Sequence, residues 1–288
     1  MVQQWTGVAG KRVVITGASN GIGLAAAEEL AARGARLTIV ARSEARARAA
    51  AARIEASARG GGSVEWALCE LSLQASVLRL AQELLERHDR IDVLVNNAGA
   101  MYTRRQRSGD GIELTWALNH LAPFLLTELL LERLLASAPA RIVTTSSDAH
   151  RGRELPLDDL DAERSYAARG FRRYGETKLA NILFTSELAR RIDDPAVTAN
   201  CFHPGLVSSG FNRNNGPLAS AAMTLARPFS RSCARGARTL FWLVDSPQVS
   251  GESGGYFADE RRATPSAQAQ DACAAQALWE LSRTQVGI

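Results

Sequence analysis

Tyr174 and Lys178 stand four residues apart, and a glycine-rich loop, Thr16-Gly17-Ala18-Ser19-Asn20-Gly21-Ile22-Gly23, lies far upstream of them. Side chains at i and i+4 share one face of a helix. A phenol titrates at about 10 when unperturbed, too high for a base at neutral pH. A cation beside it favours the phenolate and is expected to lower that value. The pair can then pass a proton to or from an alcohol or carbonyl oxygen. The loop suits a different task. Backbone N–H groups in a tight glycine turn, feeding a helix N-terminus, form a cradle for a diphosphate. Short glycine patterns and Tyr-x-x-x-Lys spacings recur by chance when met singly. Together in one chain they point to hydride transfer with a dinucleotide.

The elements around the loop fit a cradle. Lys11 to Thr16 is a β-branched run of the kind found in buried parallel strands. Leu24 to Ala32 is rich in helix formers. Gly17 and Gly21 are expected to let the chain turn, and Gly23 to let helix and strand pack closely. An ordinary strand-to-helix turn would need fewer glycines.

The rest of the chain alternates in the same way. Strands are predicted at Ala35 to Ala41, Val64 to Cys69, Ile91 to Asn96, Arg141 to Ser146 and Val197 to His203. Helices are predicted at Ser43 to Arg59, Gln74 to His88, Ile112 to Ala136 and Phe171 to Arg191. Gly60-Gly61-Gly62 breaks the first of these helices. The fold class is α/β: a single-domain Rossmann fold over 1–288, a doubly wound parallel sheet with helices on both faces. From Pro217 to Val244 the sequence is irregular and then helical, with Met223, Leu225, Phe229, Phe241 and Trp242 set among Arg227, Arg231, Arg235 and Arg238. A lid over an apolar substrate is expected at about 210–244, with Phe241 and Trp242 read instead as core.

Composition excludes several classes. The 288 residues are 46% hydrophobic and 6% aromatic, suited to an aliphatic core. No 18-residue uncharged apolar run is present, so no transmembrane segment is expected, and the N-terminus lacks a signal pattern. Cys69, Cys201, Cys233 and Cys273 are scattered, as reduced cytoplasmic thiols would be. Neither they nor His88, His120, His150 and His203 have ligand spacing, so no metal is expected. The net charge of +4 is mild, and no aromatics interleave with the arginines, which argues against nucleic-acid binding.

Taken in order, the motifs resemble the short-chain dehydrogenase/reductase family over nearly the whole chain. The loop Thr16 to Gly23 matches its Thr-Gly-x-x-x-Gly-x-Gly, and Asn96-Asn97-Ala98-Gly99 its Asn-Asn-Ala-Gly. Ser146-Ser147 matches a Ser-Ser strand end, Tyr174 and Lys178 the Tyr-x-x-x-Lys, and Pro204-Gly205-Leu206-Val207-Ser208-Ser209 the Pro-Gly-x-Val-x-Thr/Ser segment. The runs Arg141 to His150 and Lys178 to Thr185, with Tyr174 placed 27 positions after Ser147, are similar to the retinol-dehydrogenase-like branch. The membrane-anchoring N-terminal helix of animal members has no counterpart in the sequence. The resemblance implies Asn119, Ser147, Tyr174 and Lys178 as the catalytic set. Ser147 would hydrogen-bond the substrate oxygen, Lys178 would hold the nicotinamide ribose, and Asn119 would anchor a water that feeds Lys178. It further implies cofactor contacts from Gly17, Ser19, Asn20, Gly21, Ile22 and Gly23, from Glu70 and Leu71, from Asn97, Ala98 and Gly99, and from Pro204, Gly205, Val207 and Ser209. The substrate implied is a lipophilic aldehyde, ketone or alcohol, and the assembly a homodimer or homotetramer. His120 and His150 carry no catalytic assignment.

The cofactor's 2′ position is read from charge. An acid normally closes the second strand when the ribose 2′-OH is recognised. Here Ala41-Arg42 stands at that tip, and a guanidinium suits a 2′-phosphate. NADP(H) is expected over NAD(H), unless Arg42 merely stacks on adenine. Two departures from the family pattern stand out. Glu70 replaces the usual Asp after the third strand, and Gly175-Glu176 lie inside the Tyr-x-x-x-Lys. Three competing functions remain in view. A non-catalytic NADP(H)-binding redox sensor would keep the fold without turnover. A lipid-docking protein would use 217–244. A sugar-nucleotide epimerase would carry Thr-Gly-x-x-Gly-x-x-Gly, which this loop does not match.

Overall fold

Residues 5–207 and 230–288 are described by the computed structural model. β1 (Arg12–Thr16) turns through the glycine loop into α1 (Gly21–Ala32), and the alternation continues with β2 (Arg36–Ala41), α2 (Glu44–Ser57), β3 (Ser63–Leu68), α3 (Gln74–Arg87) and β4 (Val93–Asn96). A continuous helical stretch, α4 (Leu114–Ala136), leads to β5 (Ala140–Thr145). After a long connection come α5 (Phe171–Arg191), β6 (Val197–Phe202) and α6 (Cys233–Asp245). β7 (Tyr256–Ala258), β8 (Arg261–Arg262) and α7 (Ala272–Val286) close the chain. The expected elements are present with ends shifted by no more than three residues. β7, β8 and α7 are additions that sequence reading did not supply.

Eight strands form one sheet in the order β3-β2-β1-β4-β5-β6-β7-β8, and each neighbouring pair is parallel except β7 with the short β8. The order reverses between β1 and β4, the switch point beside which doubly wound sheets bind ligands at their strand carboxyl ends. The register brings those ends level. Ile15 pairs with Val95, Asn96 with Thr144, and Thr145 with Phe202.

Each sheet face has its own core. One contains Leu80, Trp116, Phe124, Leu130, Phe184 and Trp279, drawn from α3, α4, α5 and α7. The rings of Phe124, Phe184 and Trp279 lie with centroids 5.0–5.8 Å apart, each pair contributing about 0.5–1.5 kcal/mol beyond its burial. The other face is covered by α1, α2 and α6, with Leu30, Ile54, Leu240 and Val244 fully buried. α4 is long and apolar enough to cross a membrane, but 78% of its most apolar window is buried, within the first of these cores.

The helical half of the expected lid is thus part of the sheet's cover. α6 packs on α1, Gly236 sits between Val207 and Ile22, and Phe241 and Trp242 are half-buried against the core. Arg231 and Arg238 pair with Asp259 and Glu260. The rest of the expected lid, with Met223, Leu225, Arg227 and Phe229, lies outside the described residues.

Candidate active site

The glycine loop is fastened to the next strand end by side chains as well as shape. Asn97 Nδ2 donates to the carbonyls of Thr16 (3.0 Å) and Gly17 (3.2 Å). Thr16 Oγ1 accepts from the N–H groups of Asn97 and Ala98. Gly17 has φ +69°, and a Cβ there would lie 2.7 Å from Ala98 Cα. A Cβ on Gly23 would lie 2.5 Å from the Gly17 carbonyl oxygen. Gly21 has φ +60° at the first turn of α1, and Asn20 precedes it without capping through its side chain. Turning and close packing are the two roles these glycines were expected to fill. The result is an open helix N-terminus at the switch point, with Ser19, Asn20 and Ile22 around it.

Ser147, Tyr174, Lys178 and Asn119 are brought together at the carboxyl ends of β4 and β5. Ser147 follows β5 in extended backbone and caps a short 3-10 turn, Asp148–His150, by accepting the Ala149 N–H at Oγ (3.2 Å). That leaves its hydroxyl hydrogen to donate, and it hydrogen-bonds the Tyr174 phenol. Lys178 Nζ lies 5.5 Å from the Tyr174 ring centroid and donates to the Thr145 carbonyl at 2.9 Å. Asn181 Nδ2 shares that carbonyl at 3.2 Å.

The expected lowering of the Tyr174 pKa is not found among the protein's own groups. Burial dominates and pushes the phenol up to about 12, against a smaller downward pull from the Ser147 hydroxyl. Burial acts on Lys178 in the opposite sense and brings its ammonium down to about 8. Lys178 Nζ is aimed at a backbone carbonyl rather than at the phenol oxygen, so the cation contributes little to Tyr174.

Asn119 lies in a π-helical turn, Ala117–Leu121, inserted in α4. Such insertions bulge a helix and are frequent at functional sites. The bulge lets the Asn119 amide exchange two hydrogen bonds with Ala100: Oδ1 accepts from its N–H (2.8 Å) and Nδ2 donates to its C=O (2.9 Å). Nδ2 also donates to Thr177 Oγ1 (3.1 Å), one residue before Lys178. Both amide hydrogens are therefore taken by the protein. The side chain clamps the Asn-Asn-Ala-Gly loop to α5. A Cβ on Gly99 would lie 3.1 Å from Asn119 Oδ1 and 3.6 Å from Lys178 Nζ, so Gly99 leaves the space between loop and amine open.

At the other end, Arg42 is exposed at the tip of β2, within hydrogen-bonding reach of the Tyr102 phenol and with no carboxylate partner among the described residues. Glu70, the residue expected at the adenine, is held by its own neighbours. Its Oε1 accepts from the Ser72 hydroxyl (2.8 Å) and N–H (3.2 Å), so the longer side chain folds back to brace the start of α3. Leu71 is buried beside Ala98 and Leu118. Beyond β6, His203 Nδ1 accepts the Gly205 N–H (3.1 Å), Gly205 has φ +76° under the Arg231 guanidinium, and Val207 bridges to Arg231. Pro204 sits between them; Ser209 lies outside the described residues.

The long spacer and the unusual Gly175-Glu176 explain one another. Gly175 faces the Ala149 carbonyl and the Arg153 side chain with no space for a Cβ. Glu176 and Glu113 flank Arg173: Nε lies 2.9 Å from Glu113, Nη1 lies 3.3 Å from Glu176, and all three are buried. Arg173 also donates to the Leu160 carbonyl and lies over Trp116, 4.7 Å from its ring. Tyr166 donates to the Tyr102 carbonyl (2.9 Å), and Glu113 N–H donates to Asp161 (2.8 Å). The spacer is bound down on the catalytic helix by this buried network.

Comparisons with known proteins agree with the geometry. A family described as short chain dehydrogenase matches residues 11–156. Retinol dehydrogenase 14 of Mus musculus is 40% identical, over 97% of this chain and 86% of that protein. DnrU of Streptomyces sp. (strain C5), whose name proposes a daunorubicin C-13 ketoreductase, is also 40% identical, over 98% and 94%. A solved short chain dehydrogenase from Burkholderia cenocepacia, in complex with NADP, is 27% identical with a TM-score of 0.68, covering 92% of this chain and 99% of that one. With its glycine cradle, Ser-Tyr-Lys cluster and sheet order, the chain belongs to the short-chain dehydrogenase/reductase family, in its retinol-dehydrogenase-like branch, and is an NAD(P)-binding oxidoreductase of the CH–OH/C=O class.

Proposed function

We propose that the protein interconverts a lipophilic aldehyde or ketone and its alcohol with NADP(H), using Tyr174 as general acid and base. The observation that carries this reading is the hydrogen bond between Ser147 and Tyr174 at the end of β5, with Lys178 behind the phenol. In reduction, Tyr174 gives its proton to the substrate oxygen while the Ser147 hydroxyl donates to the same atom. In oxidation, Tyr174 takes the proton back. A phenol held near 12 is protonated at neutral pH, which suits the acid role. Lys178, steadied by the Thr145 carbonyl, holds the nicotinamide ribose together with Tyr174, and Asn119 keeps the loop and α5 in register.

The cradle fits a dinucleotide, because Gly17 and Gly23 let the loop pack against Asn97 and Ala98 in a turn that leaves the N-terminus of α1 open. Gly17, Ser19, Asn20, Gly21, Ile22 and Gly23 would take the diphosphate. Arg42 would take the 2′-phosphate, Leu71 the adenine, Asn97, Ala98 and Gly99 the adjoining ribose, and Pro204, Gly205, Val207 and Ser209 the nicotinamide edge. When bound, NADPH supplies the hydride. The NADP held by the Burkholderia relative supports this cofactor, and the retinol and daunorubicin in relatives' names support a large apolar substrate.

The test is NADPH oxidation with decanal, retinal and daunorubicin, alongside the NADPH dissociation constant. At least one carbonyl should turn over, and Tyr174→Phe should cut its kcat by about 10²- to 10⁴-fold with cofactor binding nearly unchanged. Near-wild-type turnover in that variant would remove the mechanism. Tight NADPH binding with no turnover of a broad carbonyl panel would favour a redox sensor instead.

A further inference from the structure

His150 ends the 3-10 turn that begins after Ser147, and it is completely buried. Its two ring nitrogens face groups of opposite kind. Nε2 lies 3.1 Å from the backbone N–H of Ser266, which can only donate. Nε2 is therefore the acceptor, and the ring proton sits on Nδ1. Nδ1 lies 2.7 Å from the carbonyl oxygen of Ser147, which can only accept. The same carbonyl receives the His150 backbone N–H at 3.1 Å, so one residue grips the Ser147 peptide twice. The ring is held edge-on to Tyr256, with centroids 5.2 Å apart.

We infer that His150, as the neutral Nδ1–H imidazole, is a positioning residue that ties the Ser147 peptide to the Ser266 backbone and so fixes the direction of the Ser147 hydroxyl. This rests on the proposed role of Ser147. The Ser147 carbonyl and hydroxyl belong to one residue in fixed extended backbone. Anchoring the first fixes the Cα–Cβ bond from which the second swings, and the Ala149 N–H at Oγ limits that swing. The anchor comes from the segment between β8 and α7, far from Ser147 in sequence.

A second proton on the ring would set an N–H against the Ser266 N–H and break the tie. Burial holds the imidazole below its ordinary pKa, as do the nearby Arg151 and His203, while Asp148 opposes them. Tyr256 faces the ring and stacks on His203, and the Tyr256 hydroxyl reaches toward Asp148 (3.4 Å). These are the groups whose charge would move the acid limb of activity.

Two measurements on the full chain test this. The first is the ¹⁵N shifts of the His150 ring at pH 7, which need no substrate. The Nδ1–H tautomer is expected; an Nε2–H or doubly protonated ring overturns the inference. The second is a double-mutant cycle read by single-turnover NADPH oxidation, with whichever of decanal, retinal or daunorubicin turns over fastest. His150→Asn keeps a donor near the Nδ1 position but cannot reach Ser266. It should lower the rate about 10- to 100-fold with the NADPH dissociation constant held within about twofold. In a Ser147→Ala background it should cost almost nothing more. An equal loss in both backgrounds would make His150 merely structural and overturn the inference. His150→Gln, which can reach Ser266, gives the reciprocal check on folding. If Ser147→Ala alone leaves the rate unchanged, the proposed role of Ser147 fails, while the ring-shift result stands apart from it.

Discussion

The α-carbon of Gly175 lies against the carbonyl oxygen of Ala149, with no room for a methyl group between them. Ala149 belongs to the turn that Ser147 caps, and Gly175 follows Tyr174. The contact therefore sets how closely the serine's turn approaches the tyrosine's helix. Gly175→Ala would gain up to about 1 kcal/mol in a free helix. Here overpacking of about 1–3 kcal/mol should outweigh that. Urea unfolding should show a less stable protein, and kcat should fall more than KM rises. A stabilised variant with full kcat would show that the turn moves aside freely.

Arg42 has no carboxylate to neutralise it among the described residues, and Ala41 stands where an acid would select a ribose hydroxyl. NADPH should bind more tightly than NADH, and Arg42→Ala should lose that preference. Ala41→Asp should shift it toward NADH by repelling the phosphate. Paired dissociation constants at one ionic strength decide the matter; equal wild-type affinities would sink the assignment.

Lys178 gives a pH dependence with a definite sign. Its folded pKa, about 8, lies below the ordinary 10.5. Between these values the unfolded chain binds more protons than the folded one, so this residue makes stability rise with pH across that window. Below about pH 8 the buried ammonium is a constant cost. Lys178→Met should flatten the rise between about pH 8 and 10.5 relative to wild type, as read by urea midpoints at several pH values. Parallel curves for the two proteins would mean that Lys178 is less buried than its contacts indicate.

Removing Glu113 strands a buried cation. Arg173 is 2% exposed and Glu113 is 0% exposed, so Glu113→Ala leaves the guanidinium only Glu176 and a carbonyl. A loss of about 3–5 kcal/mol is expected. Replacing both partners, Glu113→Leu with Arg173→Met, should cost less than the single change. Additive losses in denaturant unfolding would count against a coupled pair.

Much of this was legible in the sequence, and the illegible part has a common cause. α5 was bounded at Phe171 and Arg191 by its periodicity, and the roles of Gly17, Gly21 and Gly23 follow from local turn chemistry. The family motifs single out Asn119, Ser147, Tyr174 and Lys178, which the fold brings together. The π-turn at Asn119 and the contact at Gly175 depend on atoms distant in sequence, and the fold-back of Glu70 onto Ser72 is a side-chain choice; periodicity reports neither. α7 is a different case. Asp271 caps it through its side chain, Gly287 ends it with φ +75°, and Leu278, Trp279 and Ser282 share a buried stripe. Those signals stand in the sequence, local and legible.

The clasp between α4 and α7 bears on how the protein is made. His120, beside Asn119, bonds Ser282 at 2.8 Å, and Trp116 bonds Gln285 at 2.9 Å, across 162 and 169 positions of chain. A ribosome releases the glycine loop long before it reaches residue 282. The nascent chain therefore holds β1 to β6 while the helix bearing Asn119 still shows an open flank, with His120 and Trp116 unclasped. Docking of α7 is the late, non-local step of such a topology, and a nascent chain stalled before residue 272 should display the cradle without the finished catalytic corner.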